Sequence, residues 1–232
     1  MRVRAGAIAL VVVVTGILTA CQPANSTSTV QPTGSPVTHS GTPTPAVTPN
    51  QPPALAVQKV GAVATPAGFT AFAVVNNPSG QTAMAVKVEI TALGAGGQVL
   101  TRRSGAISRI GPGQREAMAL VFPVGRTLPS RFSGSVVNVR WSSDSPTEGA
   151  QVAGASFVQD ARTPSVRVHL VNRGQGADRV AITAVCWDAA GNIRGGGTRT
   201  VMVGPEANGH DVTIDVAIST VPASCDAFGI SS

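Results

Sequence analysis

From residue 54 onward, hydrophobic and polar residues alternate in short runs instead of recurring at the three-and-four spacing of an amphipathic helix. The clearest run is Val86, Lys87, Val88, Glu89, Ile90, Thr91. In a strand this alternation places the first, third and fifth side chains inward and the others outward. Gly, Pro and Asn separate the runs, as they do at turns. The pattern therefore predicts an all-β fold.

About seven strands are predicted in the first part of this region, joined by glycine-rich turns. They cover residues 56–65, 69–76, 86–93, 98–101, 107–110, 114–122 and 132–141. Residues 94–97 form one predicted turn. Gly111-Pro112-Gly113 forms another, because Pro fixes φ near −65° and Gly tolerates positive φ.

The chain aligns with itself at a period near 93 to 96 residues. Val74-Val75-Asn76 corresponds to Leu170-Val171-Asn172, and Ile110-Gly111-Pro112 to Val203-Gly204-Pro205. Val86, Val88, Ile90, Ala92 and Leu93 correspond to Val180, Ile182, Ala184, Cys186 and Trp187. The repeat predicts two homologous domains, residues 54–142 and 150–232. Seven short strands in under 90 residues favour an immunoglobulin-like β-sandwich, with a small barrel as the alternative.

A resemblance to a known family rests on two equivalent segments: Ala92-Leu93-Gly94-Ala95-Gly96-Gly97-Gln98 and Cys186-Trp187-Asp188-Ala189-Ala190-Gly191-Asn192. Each follows an alternating strand and precedes a Gly-Pro turn. This arrangement resembles the FxLYD family of bacterial and archaeal surface domains, often found in lipoproteins. The family has an aromatic residue followed by Asp in this segment. Trp187-Asp188 matches this pair, whereas Leu93-Gly94 does not. The resemblance implies two tandem β-sandwiches outside the membrane, and it brings no catalytic or ligand-binding residues.

The N-terminus has the pattern of an export signal. Arg2 and Arg4 precede sixteen uncharged residues, 5–20, a stretch too short to span a bilayer comfortably. Leu18-Thr19-Ala20-Cys21 resembles the bacterial lipobox. That resemblance implies cleavage of residues 1–20, a diacylglyceryl group on Cys21, and a lipid-anchored protein on the extracytoplasmic face of the cell membrane. The alternatives are an ordinary signal peptide with a chance cysteine, or an uncleaved anchor.

Residues 21–53 differ in composition from everything that follows. Residues 22–53 hold eight Pro and seven Thr with no charged residue. Such a segment buries too little apolar surface to offset its chain entropy, so we expect a disordered tether. Loss of Arg2 and Arg4 with the signal lowers the net charge from +6 to +4.

The other two cysteines, Cys186 and Cys225, lie in the second predicted domain of an exported chain, where disulfides persist. Their repeat equivalents, Ala92 and Phe132, are apolar and lie on strands that a sandwich would bring together. We expect a Cys186–Cys225 disulfide, with two buried free thiols as the alternative.

The chain offers little for catalysis. Its three histidines are His39 in the tether, His169 on the outward face of a strand, and His210 at the start of another. None lies near a Gly-x-Ser-x-Gly motif, and no metal-binding motif occurs. The Gly-rich stretches 94–97 and 195–197 are interpreted as hairpins, because no helix follows either. We expect no enzymatic activity, no cofactor and no metal.

No basic run carries interleaved aromatics, so nucleic-acid binding is not expected.

Two non-catalytic interpretations follow. One is a binding or interaction module whose partner is an envelope protein or a wall polymer. The other is a structural spacer or subunit of an envelope assembly, joined by strand addition at an unpaired edge such as residues 201–203. Trp141, between the predicted domains, is expected to pack between them.

Overall fold

The computed structural model describes residues 54–123, 125, 127–143, 149–160, 163–205 and 209–231. Cys21, the predicted signal (residues 1–20) and the predicted tether (residues 21–53) lie outside these residues. The described residues form thirteen antiparallel strands and no helix, which confirms the all-β prediction. The strands are β1 Ala56–Thr65, β2 Gly68–Asn76, β3 Thr82–Leu93, β4 Val99–Ile110, β5 Arg115–Pro123, β6 Arg131–Ser142, β7 Ala150–Val158, β8 Ser165–Asn172, β9 Asp178–Trp187, β10 Ile193–Val203, β11 His210–Asp215, β12 Ala217–Ile218 and β13 Ser224–Ser231.

The strands form four sheets. The first half of the described chain, β1 to β6, contains the sheets β1-β2-β5 and β4-β3-β6. The second half, β7 to β13, contains the sheets β11-β8-β7 and β12-β10-β9-β13. All described residues fall in one compact unit. Their division into two separate domains therefore stays a prediction.

One strand is longer than its sequence suggested. The two short strands expected at 98–101 and 107–110 form a single strand, β4, because Arg102, Arg103 and Ser104 continue the pairing with β3. β4 is the edge of its sheet, so this polar stretch has one strand partner and otherwise faces solvent. A polar run in an edge strand does not end the strand, and the first half consequently has six strands.

Each half encloses its own hydrophobic core. In the first half, Val86, Val88 and Ile90 of β3 are fully buried, as their alternation predicted, and pack with residues of β2, β4 and β5. In the second half, Val180 and Ile182 of β9 occupy the corresponding positions. Trp141 packs against the core of the first half, and the expectation that it packs between two domains was wrong.

A third apolar cluster joins the halves, and we call it the seam. Its buried members are Val63, Phe72, Val74, Ala117, Val185, Ile193 and Phe228. Trp187 packs against its edge. The seam exists because β2 is buried on both faces. Ala71, Ala73 and Val75 belong to the core of the first half, whereas the alternate positions Phe72 and Val74 face the second half.

The Gly195-Gly196-Gly197 stretch is not a hairpin, in contrast to the sequence interpretation. All three residues lie inside β10, where backbone and side chains approach closely. A Cβ on Gly196 would lie 2.1 Å from the Ala184 carbonyl oxygen and 2.9 Å from the Phe72 ring. Gly61 approaches Ile193 from the other half in the same way. These glycines let the halves pack together at the seam.

Equivalent asparagines close a loop in both halves. The side-chain amide of Asn77 donates to the carbonyls of Gln81 and Ile110, and its oxygen accepts from the Ser79 amide. Asn172 repeats this with Gly176, Val203 and Gly174. The structural equivalent of Asn172 is thus Asn77, and the alignment on Asn76 was wrong by one residue. The sequence Val-Val-Asn-Asn allowed either match, and only one keeps the correct strand face inward.

Candidate functional site

The predicted site residues fall in two places. Cys21 lies outside the described residues. Cys186 and Cys225 form the predicted disulfide, on directly paired positions of β9 and β13. Their repeat equivalents, Ala92 and Phe132, are directly paired in β3 and β6. The repeat therefore located the cysteine contact correctly, even though the asparagine was misaligned.

The histidine on the surface of β8 has a carboxylate partner. His169 Nδ1 lies 2.8 Å from Asp211 Oδ1, and both side chains are well exposed. Within the described part of the chain, no serine or cysteine hydrogen-bonds to either side chain. The pair thus lacks the nucleophile that a catalytic histidine and carboxylate would serve. No group of His, Cys, Asp and Glu among the described residues has a metal-binding arrangement.

The Trp187-Asp188 step opens a tightly hydrogen-bonded turn. The Asp188 carboxylate accepts from the backbone amides of Ala190 and Asn192 and from the side chain of Arg194. Hydrogen bonds from the backbone and side chain of Asn192, followed by the interaction with Arg194, lower the pKa of Asp188 to about 2. Its acceptor capacity is used within the turn, so Asp188 acts as a structural residue of the β9–β10 hairpin.

A cavity of about 330 Å³ lies where the halves meet beside the seam, and we call it the seam cavity. β4 and β5 contribute its charged side chains, and Gln114 lies between these two strands. β7 and β13 of the second half contribute the opposite wall, which includes the amide of Gln151. The lining residues are Arg109, Gln114, Arg115, Glu116, Ala150, Gln151, Val152, Ala227, Phe228 and Gly229.

Glu116 is the unusual residue of this cavity. In a strand, every second side chain lies on the same face, so Glu116 shares a face of β5 with Met118, Leu120 and Phe122. Because those residues pack into the core of the first half, the Glu116 carboxyl group lies on the core-facing side of β5. Its Oε2 atom is buried without a hydrogen-bond partner. Burial raises the pKa of Glu116 to about 8, although the nearby Arg109 and a hydrogen bond with the Ala117 backbone act to lower it. At neutral pH the Glu116 carboxyl is therefore mostly protonated.

The two arginines of the seam cavity differ in their partners. Arg115, exposed at the start of β5, lies 4.0 Å from Asp226 of β13, a contact that crosses between the halves. Arg109, half-buried on β4, forms no ion pair with any described residue. It is close enough to Glu116 to affect its pKa, but Glu116 is mostly neutral.

A larger and more open cavity, about 560 Å³, adjoins this region and shares Arg115 with it. Its walls include Lys59, Trp187 and Asp226. Trp187 Nε1 is the second buried side-chain atom among the described residues that has no hydrogen-bond partner; Glu116 Oε2 is the first. Both atoms belong to residues that line cavities between the halves. Unsatisfied buried polar groups are unusual in folded proteins and mark places that need an explanation.

Glu116, Arg109 and Arg115 were not predicted from the sequence. A signal was present, because the alternation that places Met118, Leu120 and Phe122 inward also places Glu116 inward. The contribution of the second half could not be inferred, because nothing in the strand pattern showed that β7 and β13 pack against β4 and β5.

Neither a family model nor a curated protein matches the chain. The described residues include no helix with the length and hydropathy needed to cross a bilayer.

Proposed function

We propose that the protein is a lipid-anchored, extracytoplasmic binding module without catalytic activity. In this proposal it is a bacterial lipoprotein held to the cell membrane through Cys21. The tether of residues 21–53 carries two FxLYD-like β-sandwich domains, and the partner is an envelope protein or a wall polymer.

The observation that supports binding is the seam cavity. It places a half-buried arginine, which has no ion-pair partner among the described residues, beside a carboxyl group with a buried oxygen atom where the two halves meet. Ligand sites occur preferentially at such junctions, with a few convergent polar groups. Among the described residues, no serine or cysteine hydrogen-bonds to the exposed His169–Asp211 pair, and this supports the proposal of a non-catalytic role.

Lipid anchoring is tested by Cys21→Ser in the native host. The wild-type chain should incorporate a fatty-acid label and sediment with membranes, whereas the Cys21→Ser variant should lose both properties. Cys186→Ser with Cys225→Ser is the matched control, since it removes the other two cysteines and should leave labelling unchanged. A wild-type chain without lipid would overturn the anchoring proposal.

Binding is tested by cross-linking intact cells and capturing the full chain with its partners. The binding role is supported by a partner whose capture is reduced by soluble wall fragments or by substitution of seam-cavity residues. If capture and wall-fragment binding are both negative, the binding proposal fails.

The structural alternative is favoured by one feature, the outer edge of β10. Its residues 197–203 pair with β9 on one side only, and Met202 is 62% exposed there. Such an edge can accept a strand from another chain. Met202→Lys should abolish co-purification of that chain if β10 is the contact, and it should have no effect if the seam cavity is.

A further inference from the structure

We propose that the seam cavity binds an anionic group, a carboxylate or a phosphate, and that Arg109 and Glu116 are the residues that hold it. The inference rests on the binding role proposed above and assigns a site and a ligand chemistry to it.

Arg109 provides the positive charge. Its guanidinium is half-buried and has no ion-pair partner among the described residues. A guanidinium carries five N–H donors in a planar fork that matches a carboxylate or a phosphate. Arg115 adds a second guanidinium to the cavity lining, and its Nη2 atom lies 4.0 Å from Asp226 Oδ2.

Glu116 provides a donor that an ionised carboxylate could not. Because burial raises its pKa to about 8, the carboxyl holds a proton at neutral pH. A neutral carboxylic acid can donate a hydrogen bond to an anion, whereas the ionised form would repel it. The proton therefore makes Glu116 compatible with an anion next to Arg109.

Two carboxylates close to the cavity already have partners. Asp226 of β13 faces Arg115. Asp178 of β9 accepts a hydrogen bond from the Ala150 amide in the cavity wall. The lining residues of β7, which are Ala150, Gln151 and Val152, carry no charge. Gln114 and Gln151 supply amide groups that can donate to further oxygens of the ligand. A cation placed here would meet Arg109, so the cavity favours an anion.

The test uses the full chain in detergent and two probes that stay singly ionised from pH 6 to pH 9.5. Glucuronate represents a carboxylate ligand and dimethyl phosphate a phosphodiester, with sodium chloride at equal ionic strength as the reference. Isothermal titration calorimetry measures the dissociation constant. We expect saturable binding at pH 6.5 for at least one probe, and the tighter probe identifies the source. Binding should weaken about tenfold or more by pH 9.5, as Glu116 ionises.

Two variants separate the roles of the residues. Arg109→Gln should weaken binding at pH 6.5 about tenfold or more, because it removes a charge-assisted contact. Arg103→Gln, an exposed arginine of the same strand that does not line the cavity, is the matched control and should bind as wild type. Glu116→Gln keeps a neutral donor of the same shape, so it should bind at pH 6.5 and lose the pH dependence.

The proposal is overturned if neither probe saturates, if Arg103→Gln weakens binding as much as Arg109→Gln, or if Glu116→Gln keeps the wild-type pH profile. Should Arg109→Gln fail to fold by circular dichroism, the comparison of wild type with Glu116→Gln decides. If both probes fail while cross-linking captures a partner through another surface, the anion site is wrong and the binding role stands. If capture also fails, both are wrong.

Discussion

The two halves close one equivalent position by different means. In the first half, Ala92 faces Phe132, whose ring centroid lies 5.3 Å from that of Phe122 and 6.0 Å from that of Phe69. In the second half, Cys186 and Cys225 form a disulfide at the same place. The position requires a filled contact between a central strand and its neighbour, and aromatic packing or a covalent bond can meet that requirement.

The seam adds a second contrast, between contacts within a half and contacts between halves. Phe72 is completely buried in the seam, as Val75 is in the core of the first half. The centre of the seam is thus as well buried as the core of the first half. We therefore expect the halves to unfold together, and the following variants break or sharpen that expectation in order of decreasing effect.

Phe72→Ala should lower the free energy of unfolding most, by roughly 3–5 kcal/mol, because it leaves a large cavity at the seam. Single-tryptophan variants provide the readout, since Trp141 reports on the first half and Trp187 on the seam and the second. Urea transitions of the two probes should coincide in the parent and separate after Phe72→Ala. Val121→Ala, at an exposed position near the end of β5, is the control and should change little. Separate transitions before the substitution would contradict coupling.

Replacing Cys186 and Cys225 together by Ala should cost the next largest amount, roughly 2–4 kcal/mol, because the 39-residue separation is no longer constrained in the unfolded chain. The loss is measured by urea denaturation without reductant. Dithiothreitol should destabilise the wild type and leave the double variant unchanged. An equal response of both proteins would show that the disulfide contributes nothing.

Asn77→Ala and Asn172→Ala should each cost roughly 1–3 kcal/mol, because each leaves buried carbonyl groups without a donor. Asn76→Ala is the matched control and should have a much smaller effect, since Asn76 is half-buried at the end of β2. If Asn76→Ala costs more than Asn77→Ala, the structural equivalence of Asn77 and Asn172 is wrong.

At pH 5, Glu116→Gln should change the free energy of unfolding less than the other variants do. As pH rises, the variant should become increasingly more stable than the wild type. The folded protein holds a Glu116 proton up to about pH 8, whereas the unfolded chain releases it near 4.5. The wild type therefore loses stability as pH rises through this window, by at most about 1.4 kcal/mol per pH unit. Glu116→Gln should remove that slope, whereas Glu89→Gln on the exposed side of β3 should keep it. Urea midpoints at pH 5, 6, 7 and 8 measure both slopes.

The alternating pattern was enough to predict the fold class, most strand positions and the disulfide. These depend on local periodicity and on the repeat, both of which are visible along the chain. Phe72 and Gly196 show why the seam was missed. A buried phenylalanine in β2 is compatible with a core inside one half, and a run of three glycines is typical of a turn. Their contact joins residues more than a hundred positions apart, and no periodic pattern encodes it.

Glu116 illustrates a different difficulty. Its inward position follows from the alternation of β5, but its chemistry depends on walls contributed by β7 and β13. The charge state of one side chain is thus set by packing between halves. Sequence reasoning could have identified an inward carboxyl, but it could not have identified what surrounds it.

The close contact at Gly196 also provides a way to recognise relatives of this chain. Any side chain there would collide with the Ala184 carbonyl and the Phe72 ring, and Gly61 is similarly constrained by Ile193. Chains whose halves dock in this manner must keep these glycines while their loops diverge. A chain with the same strand pattern but larger residues at both positions could not dock its halves this closely. The two glycines are therefore a more selective signature than the strands themselves.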